Sequence, residues 1–108
     1  MNKTNRTSTP SSGNVFADLE LDQADVLLAR AELGFAVRKL IEARGFATQK
    51  EIATLLGIQQ PEVSNILNSK YHLFSEARLL TFLTRLDQKI HITISPRSAG
   101  EAAFAVHL

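Results

Sequence analysis

A run of short polar side chains, Gln59, Gln60, Glu62, Ser64 and Asn65, surrounds Pro61 near the middle of the chain. Amides and hydroxyls each offer donors and acceptors in fixed geometry. On a helix, Gln60, Ser64 and Asn65 fall one turn apart and share a face, opposite Val63, Ile66 and Leu67. The chemistry this arrangement supports is hydrogen-bond recognition of a partner's polar edge. No catalytic grouping competes with it. His72, His91 and His107 are far apart, with no acid or nucleophile at a recognisable spacing, and there is no phosphate-binding glycine loop, HExxH or metal-ligand cluster. The expectation is a protein that is not an enzyme and holds no metal or cofactor.

The elements that must position these residues are legible from period and punctuation. Pro61 fits only the first turn of a helix, which places a helix from about Gln60 to Asn68. Before it, Thr48-Gln49-Lys50-Glu51 reads as a capping box opening a second helix, with Ile52, Ala53 and Leu56 facing inward and Gly57 ending it. Short helix, tight turn and crossing helix make a helix-turn-helix. Ala53 is small where the helices approach, Gly57 takes the turn, and Ile52, Leu56, Ile58, Val63 and Ile66 fill the apolar positions beneath it. Upstream, Val26, Ala29, Leu33, Ala36, Val37, Leu40 and Ile41 recur at steps of three and four, which predicts a long helix from Asp22 to Arg44, stopped at Gly45. Leu27, Leu28 and Phe35 fall outside that stripe, where they either widen the core or meet a partner. Downstream, Ser75 caps a fourth helix to about Leu86, with Phe74 and Leu79 placed as a hydrophobic staple.

Then the period drops to two. Ile90, Ile92 and Ile94 alternate with polar residues across Lys89–Ser95, which predicts a half-buried strand. A weaker alternation of Phe104, Val106 and Leu108 follows a turn-like stretch from Pro96 to Gly100, so residues 98–108 are an extension that could supply a second strand of a hairpin. A lone strand or hairpin is marginal in water. A two-fold partner with a matching strand would cover the edge, so Ile90, Ile92 and Ile94 are the expected dimer contacts.

The segment Thr48-Gln-Lys-Glu-Ile-Ala-Thr-Leu-Leu-Gly-Ile-Gln-Gln-Pro-Glu-Val-Ser-Asn-Ile-Leu-Asn-Ser-Lys70 resembles the lambda-repressor-like (XRE) DNA-binding domains. Beyond it, Val15-Phe-Ala-Asp-Leu, the long first helix, Phe74-Ser and a terminal strand ending Ser95-Pro-Arg97 are similar to HigA-type antitoxin regulators, so the resemblance spans residues 15–97. It implies a mostly α bundle of about four helices; the strand at Lys89–Ser95 stands where the family usually has a fifth helix, a departure that favours strand pairing over the family's usual dimer mode. It also implies a repressor acting as a homodimer on a palindromic operator, whose half-sites are about 34–36 Å apart. A toxin protein is a further implied partner, although standalone regulators share the same motif.

The resemblance also implies roles for residues. The second helix of the motif enters the major groove, which makes Gln59, Gln60, Pro61, Ser64 and Asn65 the base readers. Gln49, Lys50, Asn68, Lys70 and Tyr71 become phosphate contacts, and the Gln49 amide could also brace Gln60. Glu62 departs from the expected chemistry beside DNA. It must accept from cytosine or point outward.

Composition sets the outer bounds. One domain fits 108 residues, 44% of them hydrophobic, and the absence of cysteine excludes disulfides. Residues 1–14 are polar and are expected to form a disordered tail. No apolar run approaches a membrane span, so a soluble cytoplasmic protein is expected. Net charge is only +1, but it is uneven. Residues 1–35 hold three Lys/Arg against five Asp/Glu, whereas residues 36–97 hold nine against five. The middle suits double-stranded DNA, while the acidic N-terminal third either suits a basic toxin or is an inert extension.

Overall fold

The computed structural model describes residues 23–107. Helix α1 (Gln23–Arg44) is the spine, and α2 (Gln49–Leu56), α3 (Gln60–Leu67) and α4 (Glu76–Arg85) fold against it, with a short 3-10 turn at Tyr71–Leu73 before α4. α1 lies along α4 and the 3-10 turn, while α2 packs on α3. The four expected helices are present. The expected cap at Asp22 lies outside the described residues.

The apolar stripe of α1 is its buried face: Ala29, Leu33, Ala36, Val37 and Ile41 are buried, and Leu40 is partly so. Leu27 and Phe35 stay exposed. The Phe35 ring carries the cations of Arg38 and Lys39 near its face instead of widening the core. Gly34 lies in mid-helix, where glycine costs about 1 kcal/mol relative to alanine. Its place is explained by the Tyr71 ring, which packs so close that a Cβ on residue 34 would sit 2.3 Å from the ring's Cδ1.

α2 opens at Thr48, whose Oγ1 accepts the Glu51 amide at 3.2 Å. The return arm differs from expectation: Glu51 Oε1 accepts from the amide of Ala47, not of Thr48. Gly57 ends the helix at φ +72, in the left-handed region, and the chain turns there into α3. Ser75 caps α4 by accepting the Arg78 amide. Phe82 is buried edge-on against Phe74 with ring centroids 5.7 Å apart.

One ion pair joins three of these elements. Glu76 is 1% exposed, and its Oε2 accepts from Arg30 Nε at 3.2 Å, while Arg30 Nη1 donates to the His72 carbonyl at 3.1 Å.

The C-terminal segment departs from expectation. No strand forms at Lys89–Ser95 among the described residues, and Phe104 and Val106 do not pair with it. The turn after Pro96 does form, with the Ser98 amide donating to Glu101 Oε1 at 2.6 Å. The chain beyond it then returns to the helical body. Phe104 and Val106 pack against the core, and the Val106 amide donates to Glu32 Oε1 on α1 at 2.7 Å. Burial on α1 wins over a two-stranded hairpin, which has no third layer to cover it. Ile90 packs against the core as well, whereas Ile92 and Ile94 are 68% and 87% exposed.

Candidate nucleic-acid interface

α3 buries only Val63 and Ile66. On its other side Gln59, Gln60 and Pro61 are exposed, and Ser64 and Asn65 are half-buried. All five expected base readers therefore gather at the start and outer side of one short helix.

Both ends of that helix are tied down. At the N-terminal end the Glu62 carboxylate accepts from Arg78 Nη1 at 2.8 Å and from the Gln59 amide at 3.3 Å. The Arg78 guanidinium also sits 5.4 Å and 5.5 Å from the ring centroids of Phe74 and Phe82. The Arg78 hydrogen bond, followed by that from Gln59, holds the Glu62 carboxyl below its ordinary 4.5 against a partial cost of desolvation. This accounts for the anomalous acid. The Glu62 carboxylate is engaged within the protein rather than pointing freely outward, and it fastens α3 to α4.

At the C-terminal end, Ser69 adopts φ +62. The Ser69 amide donates to the Ile66 carbonyl at 3.1 Å and the Lys70 amide to the Asn65 carbonyl at 2.8 Å, which closes a Schellman motif. Arg38 Nη1 of α1 donates to Ser69 Oγ at 2.7 Å, and Ser69 Oγ donates to Tyr71 Oη at 3.4 Å.

The five expected phosphate contacts divide. Gln49, Lys50 and Lys70 are exposed. Tyr71 is 7% exposed, with its ring against Gly34, and so serves as a core residue. Asn68 is turned back on its own helix, its Nδ2 donating to the Ser64 carbonyl at 2.9 Å and to Ser64 Oγ at 3.2 Å. Gln49 and Gln60 make no hydrogen bond to each other, and both residues are exposed. Among the described residues, Arg30, Arg38, Arg44 and Arg78 are held in ion pairs, whereas Lys50 and Lys70 are exposed and in none, and Arg85 is exposed beside the Gly57 turn with a 3.4 Å hydrogen bond to the Leu55 carbonyl.

Sequence reasoning missed the fastening residues Arg78, Arg38 and Ser69. Their partners lie far along the chain, and no local pattern announces them. Gly34 did carry a signal, because a mid-helix glycine marks a close approach.

The histidines remain apart and exposed, and no cluster of potential metal ligands occurs among the described residues. No helix among them is long and apolar enough to cross a membrane.

A short helix, a glycine turn and a second helix anchored against a four-helix body define the helix-turn-helix class. Residues 15–95 match the helix-turn-helix domain family, and the chain belongs to it. A solved structure bearing the name of an XRE family transcriptional regulator superposes with a TM-score of 0.68. It is 32% identical, with 81% of this chain and 97% of that chain covered, which makes the present chain a helix-turn-helix protein of the XRE type. No curated protein matches the chain.

Proposed function

We propose that the protein is a sequence-specific DNA-binding repressor of transcription that acts as a homodimer on a palindromic operator. α3 is its reading helix. Gln60, Ser64 and Asn65 meet base edges, Gln59 and Pro61 stand where the helix enters the groove, and Gln49, Lys50 and Lys70 hold phosphates. One observation carries this reading: neighbouring elements anchor α3 at both ends, through Glu62–Arg78 and Arg38–Ser69, while its polar side is left open. A reading helix needs that rigidity, because side chains must be held close to a productive geometry.

The homodimer forms through the segment carrying Ile92 and Ile94. A second copy of that segment covers both exposed isoleucines and pairs backbone groups that have no backbone partner among the described residues. Ile90 contributes less, because it already packs on its own body. Neutralisation of a toxin is the secondary role. It is supported by the resemblance to antitoxin regulators and by Leu27 and Phe35, which stand exposed on α1.

The test is a binding titration on the DNA upstream of the protein's own gene against random DNA, at two salt concentrations. Specific binding about 10³-fold or more above random DNA is expected. Asn65→Ala is expected to cost about 1–3 kcal/mol at one base position, while Lys70→Ala weakens all sequences alike and flattens the salt dependence. Equal, weak binding to both DNAs overturns the proposal. Co-purification with the product of an adjacent gene, lost in Phe35→Lys, tests the secondary role.

A further inference from the structure

Ser64 and Asn68 form a device whose consequence reaches the operator sequence; the inference rests on α3 being the reading helix. The Asn68 amide has an unambiguous orientation. The Ser64 carbonyl only accepts, so the group 2.9 Å from it must be Nδ2, which only donates. The same Nδ2 lies 3.2 Å from Ser64 Oγ, and that oxygen must therefore accept. One lone pair of the hydroxyl is occupied, and its position is fixed.

The hydroxyl proton has a different fate from those of three helical threonines in the same protein. Thr54 donates to the Lys50 carbonyl at 3.0 Å, Thr81 to the Ala77 carbonyl at 3.0 Å and Thr84 to the Thr81 carbonyl at 2.7 Å. Such back-bonding is the ordinary use of a helical hydroxyl. Ser64 makes no such bond, although it sits on the half-buried outer side of α3 beside Asn65. Its proton is not spent on the helix backbone and is available to a partner outside it.

We infer that Asn68 is a specificity-determining positioning residue: by donating to Ser64 it presets the Ser64 hydroxyl as a hydrogen-bond donor toward the DNA. A base beneath Ser64 that offers an acceptor in the major groove, as purine N7, guanine O6 and thymine O4 do, is then favoured. Cytosine, whose edge there is the N4 amino donor, can engage only the remaining lone pair of the hydroxyl and is disfavoured.

Selection from randomised DNA with the full-length wild type, Ser64→Ala, Asn68→Ala and the double variant tests this. One operator position is expected to disfavour cytosine in the wild type and to lose that preference in Ser64→Ala. Asn68→Ala frees the hydroxyl to rotate and is expected to weaken the same preference roughly fivefold, about the worth of one hydrogen bond. It adds nothing further once Ser64 is gone. Asn68→Leu, similar in size but without a donor, replaces Asn68→Ala if that variant does not fold. A cytosine preference at the Ser64 position, or Asn68 variants that weaken every sequence equally while that preference stands, overturns the inference and leaves DNA reading by α3 intact. If neither Ser64→Ala nor Asn65→Ala alters any position, the reading helix itself is wrong and both proposals fall.

Discussion

The helical body, residues 23–86, and the arm that follows, residues 89–107, are both patterned with apolar residues at regular intervals. They resolve that pattern in opposite ways. In the body each helix closes its backbone hydrogen bonds within itself, and its stripe has a facing stripe in the same chain. Ala29, Val37, Val63, Ile66 and Leu79 are fully buried as a result. In the arm the alternation of Ile90, Ile92 and Ile94 calls for hydrogen-bonding neighbours that the described residues do not supply. Ile90 finds cover on the body, and the other two isoleucines do not. Helix formation is a local property, whereas a strand exists only in relation to another.

The contrast is broken most forcefully at the Arg30–Glu76 pair. Arg30→Ala leaves a carboxylate buried without its partner and is expected to destabilise the fold by about 3 kcal/mol, the lower end for opening a buried pair, because Arg30 itself is partly exposed. Chemical denaturation measures it. The double variant Arg30→Met with Glu76→Leu should recover most of the loss, since apolar side chains of similar volume can replace a buried pair. A loss below about 0.5 kcal/mol, the scale of ordinary surface substitutions, means that the pair does not hold α1, the 3-10 turn and α4 together.

Gly34→Ala comes next. The new methyl group would clash with the Tyr71 ring, and overpacking of this kind costs about 1–3 kcal/mol, partly offset by the better helix propensity of alanine. Net destabilisation is expected by thermal unfolding. Tyr71→Ala in the same background should remove the clash while leaving a cavity, so the two substitutions should be non-additive.

These two sites also mark the limit of what the sequence discloses. The helices, the Thr48 and Ser75 caps, the Gly57 turn and the exposed polar side of α3 are local features, readable from period, capping residues and a proline. The anchors of α3 are not. Arg78 reaches Glu62 from another helix, and Arg38 reaches Ser69 across the bundle. Nothing in the spacing of Glu62 says that its carboxylate is engaged, so it read as an unexplained acid beside DNA. Tyr71 likewise read as a surface residue because the small neighbour that admits its ring lies far upstream. The Ile90–Ile94 alternation was legible as a pattern, but the destination of Phe104 and Val106 depended on competition between α1 and a weak hairpin.

A smaller effect is expected at Glu62. Its pKa is depressed in the folded state, so its contribution to stability is present above the unfolded value near 4.5 and is lost as pH falls through the folded value. The pair is partly solvent-exposed and is worth less than about 1 kcal/mol. Glu62→Gln should therefore unfold at slightly lower denaturant than wild type at neutral pH, and the gap should close in acid. A gap that persists unchanged in acid assigns the effect to something other than the ion pair.

The smallest effect on the folded protomer is expected in the arm, and there the contrast is sharpest. Ile94 is almost wholly exposed, so Ile94→Lys should change the stability of the isolated body by no more than about 0.5 kcal/mol. If the arm pairs with a second copy, folding and association are linked, and the wild-type melting temperature must rise with protein concentration. Ile94→Lys should abolish that dependence, and the two proteins should melt together at high dilution. A wild type whose melting temperature ignores concentration, with a sedimentation mass of one chain, would mean that Ile92 and Ile94 face solvent for some purpose other than pairing. A variant that melts lower even at high dilution would mean that residue 94 belongs energetically to its own body, and the division between a self-sufficient helical body and an arm needing a partner would no longer hold.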